Sequence, residues 1–154
     1  MSRADPVYWS WVDTRCVVIA GIPRSGKNSQ RRRKLGNGRV ISTRSKAAQD
    51  WMDSGVSQLL SVRESNQLPL DEPLSVHVVI YHTLPLERWD SDNVVSLTFD
   101  TLKKGLVIAD DSASIIREHH VYTYVDKKHP RVVVTIRRRF HGPPATINDV
   151  VTDK

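Results

Sequence analysis

The residues best suited to chemistry in this chain are acidic and clustered: Trp89-Asp90-Ser91-Asp92-Asn93, then Asp100, then the pair Asp110-Asp111. Val95, Phe99, Leu102 and Leu106 recur at spacings of four, three and four, which predicts one helix between the first acidic cluster and the last. Asp90 and Asp92 then lie where the chain enters the helix, and Asp110-Asp111 in the segment after it. A helix–loop unit can fold its two ends toward a common neighbour, so these carboxylates are expected to converge. Crowded carboxylates repel one another unless a cation sits among them. Hard oxygen donors suit Mg²⁺, which takes one or two carboxylates and keeps waters or phosphate oxygens. In a basic protein such a site points to phosphodiester chemistry. The bland alternative is that Asp90 or Asp92 caps the helix while Asp110-Asp111 forms a turn.

The elements that must position these residues belong to a chain of 154 residues with a net charge of +6. That length fits one domain with a real core, and the charge favours an anionic partner, nucleic acid ahead of a membrane surface. There is no apolar run of membrane-spanning length, and Met1 to Pro6 lacks the apolar stretch of a signal peptide, so the expected location is intracellular. A lone Cys16 excludes an internal disulfide and a cysteine-based zinc site.

Trp9 and Trp11 are expected to pack on the core or on a partner subunit. Arg15 to Gly21 is a β-branched apolar run and predicts a buried strand. Gly21 to Lys27 then matches seven positions of a phosphate-binding loop, but the eighth is Asn28, which has no hydroxyl for Mg²⁺. No apolar helix period follows, only basic residues and the Asn37-Gly38 turn, so no nucleotide cofactor is expected. Arg24, Lys27, Asn28, Arg31, Arg32, Arg33, Lys34 and Arg39 read instead as a mobile basic loop that closes on a nucleic-acid backbone. From Thr43 or Ser45 to about Val62, Ala48, Trp51, Met52, Gly55, Leu59 and Val62 mark an amphipathic helix. Leu74 to Leu84 is the strongest strand and leads directly into the acidic cluster; His82, near its end, reads as structural. Ser114 to Val125 and Arg131 to Arg138 predict two further strands, joined by Asp126 to Pro130 as an antiparallel hairpin. The expected class is α/β (α+β): a mixed sheet of about four strands with two main helices, in the order β-α-β-α-β-β. Residues 15–139 form the expected domain, with 1–14 an N-terminal extension and 140–154 a loose tail.

Asp-x-Asp-Asn at 90–93, Phe99-Asp100, and Asp110-Asp111 together resemble the RusA family of Holliday-junction resolvases. The strand entering Gly21-x-Pro23, the basic stretch with Asn28, the Gly38-Arg39 turn before the first helix and the terminal hairpin resemble it too in order and spacing, over roughly residues 16–138. The resemblance implies a Mg²⁺-dependent endonuclease, with Mn²⁺ able to substitute, in the cytoplasm of a bacterial or phage-infected cell. It implies a homodimer on four-way or branched DNA, each subunit nicking one strand, in recombination and repair. By position, the catalytic and metal-holding residues are Asp90, Asp92 and Asp111, supported by Asn93, Asp110 and Asp100. Four residues after the second aspartate the family carries a lysine, and here that position is Ser96. Lys103, counted with the DNA-binding residues, shares the helical azimuth of Asp92 but lies about 16 Å further along the axis. Lys27 or a residue of a second subunit is therefore the better replacement. The departure at Ser96 also admits a rival from another class, a non-catalytic branched-DNA-binding protein that keeps the fold.

Overall fold

The computed structural model describes residues 11–26 and 30–139; Trp9, Lys27, Asn28 and the expected tail at 140–154 lie outside them. Six strands and two main helices follow in order. They are β1 (Trp11–Ala20), β2 (Gln30–Lys34), β3 (Val40–Arg44), α1 (Lys46–Val62), β4 (Leu74–His82), α2 (Ser91–Lys104), β5 (Ile116–Val125) and β6 (Arg131–Arg139). A single 3-10 turn, Leu86–Arg88, precedes α2.

Four strands make one mixed sheet in the order β1-β6-β4-β5, and β2-β3 form a separate two-stranded sheet. In the main sheet Val76, Val78 and Ile80 of β4 stand beside Ile136, Val134 and Val132 of β6, and all six are fully buried. This period-2 apolar face is the floor of the core. Both helices cover it: α1 through Ala48, Trp51, Met52 and Leu59, and α2 through Val94, Val95, Leu97, Phe99 and Leu102. Gly55 is where α1 comes closest to its neighbours, since a Cβ there would stand 2.8 Å from the Thr101 methyl and 3.0 Å from that of Ile19. The main-sheet architecture matches the expected mixed sheet with two helices. The Ser45 side chain accepts from the Ala48 amide and caps α1 as its residue type predicts.

Three expectations change. β5 and β6 are not hairpin partners, because β4 lies between them, parallel to β5 and antiparallel to β6. β4 is the strand with the most buried residues and gains two neighbours from its central place. The connector 126–130 therefore crosses the end of β4 and is held there by Asp126. The Asp126 amide donates to His82 O at 2.8 Å, and its carboxylate accepts from the amides of Lys128 and His129 and from Arg131. The His129 amide, with Arg131 behind it, holds the Asp126 carboxyl below the ordinary carboxylate value. Second, the basic loop is a β-hairpin, β2-β3, turned at Leu35–Gly38 with Gly38 at φ 80. Third, α2 ends at Lys104 with Gly105 as its cap, so Leu106 lies outside the helix, 39% exposed and at φ 59.

Candidate active site

The acidic cluster is built by two turns of chain at opposite ends of α2. Asp90 is the N-cap: its carboxylate accepts from the Asp92 amide at 3.0 Å and from the Asn93 side chain at 3.1 Å. Asn93 is buried, and its backbone oxygen accepts from the Gly26 amide, which docks the 21–26 segment on the first turn of the helix. Beyond the cap, Asp92, Val95, Ser96 and Phe99 make one helical stripe at spacings of three, one and three. That stripe is one wall of an open cleft of about 350 Å³, whose other lining residues are Asp111 and His119 of β5.

Asp111 reaches the cleft because the chain turns back after α2. Gly105 and Val107 donate to the carbonyls of Thr101 and Leu102, and the buried Ile108 makes a parallel bridge with Leu70. Arg15 of β1 clamps the same segment by donating to Val107 O and Leu68 O, each at 3.2 Å. Burial comes first, with Arg138 and Arg63 nearby, in drawing the Arg15 pKa below its ordinary value. Lys103 continues the α2 stripe one turn past Phe99. It does not have to reach Asp92: its Nζ lies 2.9 Å from Asp111 Oδ1 and 3.8 Å from Asp110 Oδ1. The hydrogen bond to Asp111 raises the Lys103 pKa, and a hydrogen bond from Ser112 lowers that of Asp110.

The structure therefore brings Asp92 and Asp111 into one cleft, with Lys103 joining Asp111 to Asp110. Asp90 and Asn93 are engaged in the helix cap next door. Among the described residues no three of His, Cys, Asp and Glu are gathered closely enough to enclose an ion. Two carboxylates facing an open cleft still match what Mg²⁺ takes from a protein, since it keeps waters and substrate oxygens for its other positions. Asp100 stands apart and pairs with Arg44 at 2.5 Å, which ties the base of the β2-β3 hairpin to α2. On the hairpin Arg32, Lys34 and Arg39 are exposed, as is Arg24 before it.

Several expectations resolve at the helix entrance. His82 is 6% exposed, accepts from the Leu84 amide through Nδ1 and stacks on Trp89 at 4.8 Å, with the Pro23 backbone near its ring. It is a structural clamp between β4, the 21–26 segment and the loop before α2. Burial lowers its pKa. The phosphate-loop likeness at Gly21 to Lys27 has no helix behind it, since the next element is β2. Two residues escaped the sequence reading. Arg44 lies past Arg39, the last residue of the basic stretch, at the end of β3. His119 carried a signal in strand parity, but choosing its face required the parallel pairing with β4.

Fold and site together define a small mixed α+β protein with a carboxylate-lined cleft on its second helix and a cationic hairpin anchored to that helix. The family model of endodeoxyribonuclease RusA matches residues 22–137, and the chain belongs to that family of nucleases, which resolve Holliday junctions. No curated protein matches the sequence. No helix among the described residues is long and apolar enough to cross a membrane.

Proposed function

We propose that this chain is a Mg²⁺-dependent, structure-specific endodeoxyribonuclease that acts as a homodimer and resolves four-way DNA junctions by paired symmetric nicks. The observation that carries the proposal is that Asp92 of α2 and Asp111 of the returning segment face one cleft. Those two carboxylates would hold the ion, directly or through water, and Mn²⁺ would serve in its place. When bound, the ion supplies charge against the phosphoryl oxygen and acidifies a water. Asp90 and Asn93 hold the first turn of α2, so that Asp92 enters the cleft at a fixed angle. The N-terminal amides of the helix add partial positive charge nearby. Lys103 holds Asp111 through the ion pair at 2.9 Å. Arg24, Arg32, Lys34 and Arg39, together with Lys27, Asn28, Arg31 and Arg33, would grip the phosphate backbone and select the junction by its shape. Two subunits related by a two-fold axis match the two-fold symmetry of a four-way junction.

A second reading draws on Ser96 and Lys103. Ser96 gives the middle of the cleft only a hydroxyl, and Lys103 already occupies an oxygen of Asp111. On that reading the chain binds branched DNA without cutting it. Incubating the protein with a labelled four-way junction and a matched linear duplex, in Mg²⁺, Mn²⁺ or EDTA and beside Asp92→Asn, separates the two. Paired nicks in the junction alone, lost in EDTA and in the variant, support resolution. Binding without nicks supports the rival, and no preference for the junction sinks both.

A further inference from the structure

The cleft has a second wall. β5 runs parallel to β4 with His119 opposite the fully buried Val76, so His119 shares the helix-covered face of the sheet. The next residue, His120, packs against His77 on the other face, with ring centroids 4.7 Å apart. His119 meets Phe99 of α2 in a T-shaped contact, with centroids 5.6 Å apart and planes at 86°, which fixes the plane of the imidazole. Among the described residues no hydrogen bond or ion pair engages its ring nitrogens.

The polar groups of the cleft are Asp92, Ser96, Asp111 and His119. Ionised carboxylates only accept hydrogen bonds, so neither aspartate can donate to an anionic phosphate. Among the described residues, His119 is the only one lining the cleft whose side chain has a nitrogen donor. It does not join the two aspartates as a third close ligand. It lines the cleft from β5 while Asp92 and Ser96 line it from α2, so a substrate group in the cleft meets both elements.

We infer that His119 is a catalytic residue whose imidazole N–H donates to a non-bridging oxygen of the scissile phosphate seated between α2 and β5. This rests on the nuclease reading and adds to it a donor on the sheet side. The water oxygen bonds to phosphorus, the bond to the leaving oxygen breaks with its electron pair going to that oxygen, and the proton the water loses reaches that oxygen through solvent. His119 stabilises the charge that builds on the non-bridging oxygen, and no proton passes to or from its ring. Ser96 lines the same cleft from the helix, so a lysine placed there would send an ammonium into the same space.

The test is single-turnover cleavage of a four-way junction in Mg²⁺ by the full chain, with junction affinity measured separately in Ca²⁺. The variants are His119→Ala, His119→Gln and the double variant Ser96→Lys/His119→Ala. His119→Ala is expected to cut about 10²-fold more slowly, as when one preorganised donor is removed elsewhere, with affinity unchanged within about twofold. His119→Gln, which keeps an N–H donor, and the double variant are each expected to recover about tenfold of that loss. Wild-type speed in His119→Ala overturns the inference, as does a parallel loss of binding and rate, or recovery in neither rescue variant. If the wild type cuts and His119→Ala cuts as fast, only the role of His119 falls. If the wild type itself makes no cut, the nuclease reading falls and takes this inference with it.

Discussion

Replacing Gly55 by alanine tests how α2, and with it Asp92, is held. The added Cβ would stand 2.8 Å from Thr101 Cγ2 and 3.0 Å from Ile19 Cγ2. Neither neighbour has room to yield: both are fully buried, and the Thr101 hydroxyl donates to Leu97 O at 2.7 Å, which fixes its rotamer. Overpacking of this kind typically costs about 1–3 kcal/mol. Alanine recovers about 0.8–1 kcal/mol of helix propensity over glycine. The balance is a loss of about 1 kcal/mol, which lowers the melting temperature by about 2–4 °C in a domain of this size. Thermal melts followed by circular dichroism read it directly. Adding Thr101→Ser removes the clashing methyl and keeps the hydroxyl, so the double variant should regain part of the loss. Gly36→Ala, with nothing within 4 Å of the new Cβ, should leave the melt unchanged. A Gly55→Ala protein as stable as the wild type, or more so, refutes this packing argument.

Three further outcomes follow from the site. Lys103→Met frees the Asp111 oxygen that the ammonium now holds at 2.9 Å, so half-saturation of cleavage by Mg²⁺ should fall by about two- to fivefold; a rise would contradict the geometry. Arg44→Met releases the hairpin from Asp100 and should weaken junction binding by about threefold to tenfold, measured by gel shift, while bound junction is cut at the wild-type rate. Burial lowers the His82 pKa, so the unfolded chain binds the extra proton first as pH falls through about 6.5. That part of the stability is complete above pH about 6.5 and is lost below it. In urea titrations at stepped pH, His82→Gln should flatten this slope, and an unchanged slope would remove His82 as its source.

The parts of the fold legible in sequence were those set by local periodicity and caps. Ser45 and the stripe from Ala48 to Leu59 announce α1, and the run from Leu74 to Leu84 announces the strongest strand, observed as β4. Pairing was less legible because it is decided at long range. Asp126 to Pro130 has the composition of a tight turn, yet it spans β4, and only the packing of β4 between two partners settles that. The hairpin β2-β3 was hidden because its strands are basic and lack the alternating apolar face that marks a strand, although its Asn37-Gly38 turn was visible. In the site, Asp92 and Asp111 could be read as partners from their places at the two ends of α2. Asp100 could not be separated from them until Arg44 was seen beside it. His119 stayed out of view because its face depends on a register shift between Leu74 and Ser75.

The central claim is that Asp92 and Asp111, nineteen residues apart, act as one cation site. Calorimetric titration of Mg²⁺ and Mn²⁺ into the wild type, Asp92→Asn, Asp111→Asn and the double variant tests it most directly. One shared site predicts that either single substitution abolishes most of the binding and that the second adds little. Binding that survives both substitutions, or two losses that simply add, would contradict it.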